Sequence, residues 1–523
     1  MTVPTEVRWA LALWGIAVAT ALFFAWRQSR RRVEPVSRNL PVMSAAVIST
    51  LFVLALQASR IQVFQQRTYA TRSSVDPASG EVLANTRLVV ADLREWRGSI
   101  RDADGREIAW SEQRDHAVQR RYGSAPVSHV AGFFSPMLYG KEGIERTADD
   151  ALRRGTRRGA AEQLAGALGI GSLEPEDVQL HLQSDLQAEA QRLLGERTGA
   201  IVAVDVATGA VRCLASYPLV DPAPLAAIDS AAAATAKDYW QSLLADERDP
   251  LVRRSTLGLY TPGSIFKVIT AAAAIDAGIA SPGTVYTDDG VLTVDGHTII
   301  EANRPDDSVT EWTLTEALAF SLNVVFAQVG LDLGAETLAT YAEAFGFGSA
   351  PPFEYPLATS QIASSDAFLD SDAALADTAF GQGELQTTAV HMAMVAQAIA
   401  NRGVMMVPQL IERYLGRDGE TRHRVDAEVW HTPVKSETAT QLEEMMVVAV
   451  ESGYASAAGV PGLRIGGKTG TAEVTDGEPH AWFIGFGGAE APTLAVAVVL
   501  EHGGSGGAVA STLGGAVLQA GLN

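Results

Sequence analysis

The sequence predicts an α/β (mixed α+β) chain: a sheet built from both ends of residues 186–523, a helical subdomain inserted between those ends, and an N-terminal pedestal with membrane helices. Three observations predict it. Two β-rich runs, 199–206 and 210–217, meet at Thr208-Gly209, which reads as a hairpin. Strands return only after Val460, at 463–474, 481–486 and 494–501, and alanine-rich helical stretches dominate 221–460 between the two sets. Two uncharged apolar segments open the chain, and a helical run at 508–522 closes it.

The 523 residues are too many for one compact domain, and 47% hydrophobic with 19% charged residues excludes a disordered chain. A formal net charge of −21 argues against binding nucleic acid, since phosphate contacts need clustered Lys and Arg. Cys213 is the only cysteine, so the chain forms no internal disulfide and no four-Cys or CxxC site. It lies in an apolar strand-like run and reads as a small buried hydrophobe. Nine histidines are scattered without HExxH spacing, so no metal is expected.

The opening segments, 9–26 and 40–59, hold 18 and 20 residues without a charge. Each is long enough to cross about 30 Å of hydrocarbon. Five arginines and one acid lie between them, which places that loop in the cytoplasm and both flanking ends outside. Residues 1–60 thus read as a membrane anchor of two transmembrane helices, with 60–523 on the extracytoplasmic face of the cell membrane. A cleaved signal peptide is disfavoured, because the first segment lacks a small-residue cleavage site and runs into the arginine loop. Residues 61–185 are polar and mixed. Strand-like pieces at 86–90 and 106–110 alternate with turn signals such as Asp104-Gly105, and a charged helix follows near 146–165. Nothing there forms a catalytic constellation, and the segment reads as a spacer or interaction domain.

Three short motifs carry chemistry. The first is Thr261-Pro-Gly-Ser-Ile-Phe-Lys267, followed by a helix-forming run. Pro262 and Gly263 suit a sharp entry, so Ser264 falls at a helix N-terminus with Lys267 on the same face. Serine is a poor nucleophile until a base takes its proton. Lys267 can be that base only when neutral. Lowering its pKa from about 10.4 to about 7.5 takes roughly 4 kcal/mol, which apolar burial and a second cation can supply.

The second motif is Ser321-Leu-Asn323. Thr313-Leu-Thr-Glu316 upstream fits a capping box. Residues i and i+2 do not share a helix face, so for both to serve one cleft they must sit in a bend between helices. There Asn323 can hydrogen-bond a substrate amide while Ser321 relays a proton.

The third motif is Lys468-Thr469-Gly470-Thr471, on a strand thinned by Gly466, Gly467 and Gly470. Such a strand lets another backbone approach, and an exposed edge there accepts a peptide by β-addition. Lys468 and the threonines would attract a carboxylate. At this composition the tetrapeptide is expected on the order of 0.002 times by chance. Lysine occurs only at 141, 237, 267, 435 and 468, in a chain that otherwise uses arginine. Arginine cannot deprotonate, so lysine at 267 and 468 suggests proton chemistry.

The ordered set SxxK, SxN and KTGT is that of penicillin-recognising serine enzymes. The chain resembles the class B penicillin-binding proteins over nearly everything after residue 60. The likeness covers AIVAVDVATGAV (200–211), YTPGSIFK (260–267), SLNVVFAQ (321–328), FGQGELQTTAVHMAMVAQAIANRG (380–403), GKTGTAE (467–473) and HAWFIGFG (480–487). RGSIRDADGREIA (97–109) and GKEGIER (140–146) resemble that class's pedestal. The stretch from NTR (85–87) through VAGFFS (130–135) is most similar to the actinobacterial penicillin-binding protein A group.

The resemblance implies a penicillin-binding serine transpeptidase fold, with 61–185 as a dimerisation-like pedestal and 186–523 as the transpeptidase domain. It implies a peptidoglycan D,D-transpeptidase of cell-wall biosynthesis, serving cell shape or division, that β-lactams acylate. Ser264 would attack the penultimate D-Ala carbonyl of a stem peptide, with Lys267 as base and Ser321 and Lys468 relaying protons. Asn323 would orient the donor, Thr469, Gly470 and Thr471 would hold its carboxylate, and the Ser264 and Thr471 N–H groups would form the oxyanion hole. A membrane glycan polymerase is the implied partner, and no cofactor is implied. Two features depart from the pattern: two spans where one is usual, and Gly123 where proline is usual. His391 and the FGQG turn match the family and read as structural.

Other functions fit the same motifs less well. A β-lactamase needs a glutamate placed for rapid deacylation, and none is visible. A β-lactam sensor needs a cytoplasmic signalling domain. A D,D-carboxypeptidase differs only in using water as acceptor, and a non-catalytic scaffold would not need intact motifs.

Overall fold

The computed structural model describes residues 27, 47–54, 74–75, 82–83, 89–90, 92–154, 174–474 and 477–523. The chain divides into two compact units, Met1–Asp92 with Arg157–Gly171, and Leu93–Thr156 with Ser172–Asn523. In the first, residues 47–54 are helical and Ser74–Val75 pairs antiparallel with Val82–Leu83. The expected span at 9–26 and most of that at 40–59 lie outside the described residues. Among the described residues no helix is long and apolar enough to cross a membrane.

Two large sheets organise the second unit, beside smaller two-stranded ribbons. The strands of the two large sheets, in chain order, are β1 (Ile100–Arg101), β2 (Glu107–Arg114), β3 (Ala117–Tyr122), β4 (Asp177–Leu180), β5 (Gly199–Asp205) and β6 (Val211–Tyr217). After a long helical stretch come β7 (Ile411–Leu415), β8 (Thr421–Arg424), β9 (Arg464–Ala472), β10 (His480–Gly488) and β11 (Leu494–Leu500). The helices that matter for the site are α1 (Ser184–Leu194), α2 (Lys267–Asp276), α3 (Leu314–Ala319) and α4 (Asn323–Leu333). They are followed by α5 (Ala389–Ala400), α6 (Ser436–Glu451) and α7 (Ala510–Leu522).

The five-stranded sheet runs β6-β5-β11-β10-β9, antiparallel throughout, so strands from both ends of the segment meet where β5 pairs with β11. Asp205 shapes the hairpin by accepting from the Thr208 N–H at 3.0 Å and hydroxyl at 2.8 Å, and Gly209 takes a φ of 73°. The strands read as unbroken apolar runs because both faces are covered. Ala200, Val202 and Val204 join one core with Trp482, Ile484 and Phe486, which α5 packs against. Ile201, Ala203 and Cys213 face the other way into a core with Phe483, Leu186 of α1 and Val517 of α7. Side chains alternate between the two cores with the period of two that a strand imposes. Each fully buried Val or Leu there contributes about 1.5–3 kcal/mol.

A six-stranded sheet, β8-β7-β4-β1-β2-β3, joins residues 100–122 and 177–180 to β7 and β8, which come from beyond residue 400. Against it lies a buried ion cluster. Glu145 accepts from the Arg97 Nε and Nη2 at 3.1 and 2.9 Å, from Arg120 Nε at 2.6 Å and from the Tyr122 hydroxyl at 3.2 Å. Two readings of this region change. Residues 89–90 are helical rather than extended, and 86–88 lie outside the described residues. Of the helix expected near 146–165, Asp149–Arg154 is helical after a break that ends a short helix, Ile144–Thr147, and 155–165 lie outside the described residues. The break at Ala148 lets Glu145 turn inward while Asp149 reaches Arg97 and Lys141.

Candidate active site

A cleft of about 910 Å³ gathers Ser264, Ser321, Asn323, Thr469 and Thr471 along its walls. Ser264 sits in a 3₁₀ turn, Gly263–Phe266, that runs directly into α2. Gly263 enters that turn at a φ of 57°, and a Cβ there would lie 2.7 Å from the Thr471 carbonyl oxygen. A Cβ on Gly381 of the FGQG turn would lie 1.8 Å from the Gly263 carbonyl oxygen. The Ser264 loop is thus clamped between β9 and that turn by positions only glycine fills.

Ser321 and Asn323 lie in the bend between α3 and α4, as their spacing requires. Thr313 and Glu316 close the expected capping box at the start of α3. Ser321 takes a φ of 62°, uncommon for a non-glycine residue, and is 6% exposed. Its strain is held by neighbours: the Ser321 carbonyl accepts from the Lys267 amine at 2.6 Å and from the Asn303 side-chain amide at 3.0 Å.

Lys267 is fully buried. Its amine donates to the Ser321 carbonyl, to the Asn323 Oδ1 at 2.7 Å and to the Ser321 hydroxyl at 3.3 Å, and stands 5.6 Å from the centre of the Phe326 ring. Burial pulls its pKa down to about 7, a fall that the Glu301 carboxylate partly offsets. Lys468 is 1% exposed and donates to the Thr469 carbonyl at 2.8 Å. Burial, reinforced by the Lys267 cation, pushes it well below the usual lysine range. Among the described residues no hydrogen bond joins Ser264 to Lys267. The amine instead reaches the SxN bend, and the Ser321 hydroxyl stands beside it.

β9 is an edge strand of the five-stranded sheet, so one side of its backbone is free of a neighbouring strand. Thr469 and Thr471 line the cleft, whereas the Lys468 amine is buried behind them. The three glycines of this strand differ in use. Gly470 admits the Ser264 loop, since a Cβ there would lie 2.9 Å from the Pro262 carbonyl oxygen. Gly466 and Gly467 make room for rings, a Cβ lying 2.4 Å from Phe486 and 2.5 Å from Phe483. Trp482 of β10 ties the assembly together by donating to the Thr261 carbonyl at 3.0 Å.

Five lining or supporting residues carry no sequence signal. Glu301 and Asn303 lie in an irregular stretch after a short hairpin, and Tyr454 donates to the Asn303 carbonyl at 2.6 Å. His297 and Asp377 also line the cleft, their Nε2 and Oδ1 3.1 Å apart. His391 and Cys213 are structural. The His391 Nε2 bonds the Phe345 carbonyl at 2.7 Å and burial lowers its pKa to about 4, while burial pushes the Cys213 thiol up to about 12. Among the described residues no group of His, Cys, Asp and Glu could hold a metal ion.

Fold and cleft together define the class of a serine acyltransferase, with a free sheet edge beside the cleft. Residues 199–519 match the model of the penicillin binding protein transpeptidase domain, and residues 97–169 that of the penicillin binding protein A dimerisation domain. The chain belongs to the penicillin-binding protein transpeptidase family. It is 33% identical over 505 residues to the peptidoglycan D,D-transpeptidase PbpA of Mycobacterium tuberculosis, covering 92% of this chain and 99% of that one. The same figures hold for the PbpA of Mycolicibacterium smegmatis. The structure of the M. tuberculosis penicillin-binding protein A as its penicillin G acyl-enzyme complex superposes with a TM-score of 0.74 at 31% identity, covering 82% of this chain and all of that one. Its imipenem acyl-enzyme complex gives a TM-score of 0.75 at 30% identity.

Proposed function

We propose that this protein is a peptidoglycan D,D-transpeptidase working through a serine acyl-enzyme and acylated by β-lactams. The observation that carries the reading is the Lys267 amine, buried, proton-poor and bonded to Ser321 and Asn323 on the helix that begins beside Ser264. The relatives named peptidoglycan D,D-transpeptidase and the acyl-enzyme complexes of the M. tuberculosis protein support it.

The donor stem peptide lies along the β9 edge, its terminal carboxylate against Thr469, Gly470 and Thr471. Asn323, whose Oδ1 is already taken by Lys267, offers its amide N–H groups to the donor backbone. The Ser264 Oγ attacks the penultimate D-Ala carbonyl carbon while its proton passes to the Lys267 amine. The N–H groups of Ser264 and Thr471 face the developing oxyanion, a term worth a few kcal/mol. Collapse breaks the C–N bond. The terminal D-Ala amine leaves with a proton delivered through Ser321, with Lys468 next in the relay. An acceptor amine from a second stem then attacks the ester, gives its proton back along the same path and frees Ser264.

The same reading makes residues 1–60 a two-helix membrane anchor, 61–185 a pedestal and 186–523 the catalytic domain on the extracytoplasmic face, beside a membrane glycan polymerase. The arginine-rich loop at 27–38 supports that topology. A reporter active only outside the cytoplasm, fused to the N-terminus, should give signal. A cytoplasmic signal with the N-terminus intact would overturn the two-span anchor. The chemistry is tested by incubating the protein with donor and acceptor peptidoglycan and separating the products. Cross-linked dimers are expected, and trimmed monomers alone would assign a D,D-carboxypeptidase.

A further inference from the structure

We propose that Glu301 is a positioning residue for acylation, holding the Ser321–Asn323 bend against the Lys267 amine through the backbones of Asn303 and Val324. The inference rests on the reading of Lys267 as the base.

Glu301 is 8% exposed and lies outside all three motifs. Its two carboxylate oxygens are used separately. Oε1 accepts from the Asn303 N–H at 2.9 Å, and Oε2 accepts from the Val324 N–H at 2.9 Å. Val324 is in the first turn of α4, where an N–H has no partner within the helix and a carboxylate is favoured by the helix dipole. One side chain therefore anchors both flanks of the bend. On one flank is the helix start that carries Asn323. On the other is Asn303, whose Nδ2 donates at 3.0 Å to the Ser321 carbonyl that also receives the Lys267 amine. Tyr454 fixes Asn303 from its far side through the Asn303 carbonyl.

Ser321 needs such anchoring, because its left-handed backbone persists only where the surroundings impose it. If the bend relaxes, the Ser321 carbonyl and hydroxyl and the Asn323 amide leave the amine together. The carboxylate also acts at a distance. Around Lys267 stand Lys468 from β9, Glu301 from the segment before α3, and the uncharged Asn323 and Phe326 of α4, while the Tyr454 phenol from the loop after α6 faces Glu301. Among these Glu301 is the carboxylate that acts on Lys267, and it favours the protonated amine. Without it, Lys267 would lose its proton at a lower pH.

The test separates reach from charge in the full-length protein. Acylation rates with a fluorescent penicillin are measured from pH 5 to 9 for Glu301→Gln, Glu301→Asp and Asn303→Ala, with thermal melts to confirm folding. Glu301→Gln is expected to lower the plateau rate by roughly tenfold to a hundredfold and to move the acid limb to lower pH. Glu301→Asp, shorter but still charged, should lower the plateau and leave the midpoint near the parent's. Asn303→Ala should lower the plateau alone, and it keeps the test decisive should Glu301→Gln fail to fold. A parent-like plateau and midpoint in folded Glu301→Gln, or a parent-like plateau in Asn303→Ala, would overturn the proposal. Lys267→Arg runs alongside. If it is inactive while Glu301→Gln behaves as parent, only the Glu301 role fails. If it acylates normally, the base lies elsewhere and both readings fall.

Discussion

Two pairs of buried cations are treated in opposite ways. Against the six-stranded sheet, Arg97 and Arg120 are 2% and 3% exposed and share the Glu145 carboxylate, with Asp149 bonded to Arg97 at 2.6 Å. Burial opposes ionisation of Glu145, but the Arg120 and Arg97 charges and hydrogen bonds outweigh it and hold the carboxyl below its usual range. In the cleft, Lys267 and Lys468 are as deeply buried, yet their direct partners are neutral oxygens of Ser321, Asn323 and Thr469. There burial wins and the amines become proton-poor. Burial alone does not set the charge; a carboxylate at bonding distance does. Residue type follows the same division. Guanidinium keeps its proton and suits a permanent strut, whereas an amine gives its proton up and suits a base.

The comparison breaks most visibly at Lys267. Lys267→Arg puts a group that cannot deprotonate into the site where the fold favours neutrality. Penicillin acylation should fall by about 100- to 10,000-fold, the span associated with losing a general base. Near-normal labelling would show that charge state at this position is irrelevant.

Next in size is Glu145→Gln, which leaves buried Arg120 without an anion and Arg97 with Asp149 alone. A loss of about 3–5 kcal/mol in unfolding free energy is expected from denaturant titration, with little change in the acylation rate of the folded protein. A loss under about 1 kcal/mol would mean that the cluster is not the strut described here.

The smallest effect sharpens the contrast without mutation. The reactive form of Lys267 is the neutral one, which dominates above its pKa of about 7 and is lost as pH falls through that value. Acylation should therefore decline about tenfold per pH unit below that point. A flat rate from pH 5 to 8, in protein that melts normally, would contradict a lysine base.

How far the sequence carried these conclusions depends on where each signal is stored. Ser264, Lys267, Ser321 and the Thr469–Thr471 edge were legible because turn residues, helix spacing and glycine content fix them locally. The place of Lys468 on the cleft strand was legible, but its burial, with the amine on the Thr469 carbonyl, was not. Glu301 and Asn303 were invisible. Their partners are mostly backbone atoms of distant residues, and such bonds leave no periodic trace. The pairing of β7 with β4 was invisible for a related reason, since Ile411 and Leu180 meet across more than two hundred residues. The break at Ala148, just before the helix Asp149–Arg154, was invisible too, because Glu145 is drawn inward by two arginines, a tertiary demand that helix propensity does not record.

The central claim is that the neutral lysine serves one nucleophile, Ser264, and the most direct measurement is covalent capture. Fluorescent penicillin should label the full-length protein, and the label should survive denaturing electrophoresis, because the opened drug keeps its leaving amine tethered where the acceptor would enter. Ser264→Ala should abolish the label while costing at most about 1–2 kcal/mol of stability, the range for losing a hydroxyl at a helix start. Labelling that persists in folded Ser264→Ala would contradict the account.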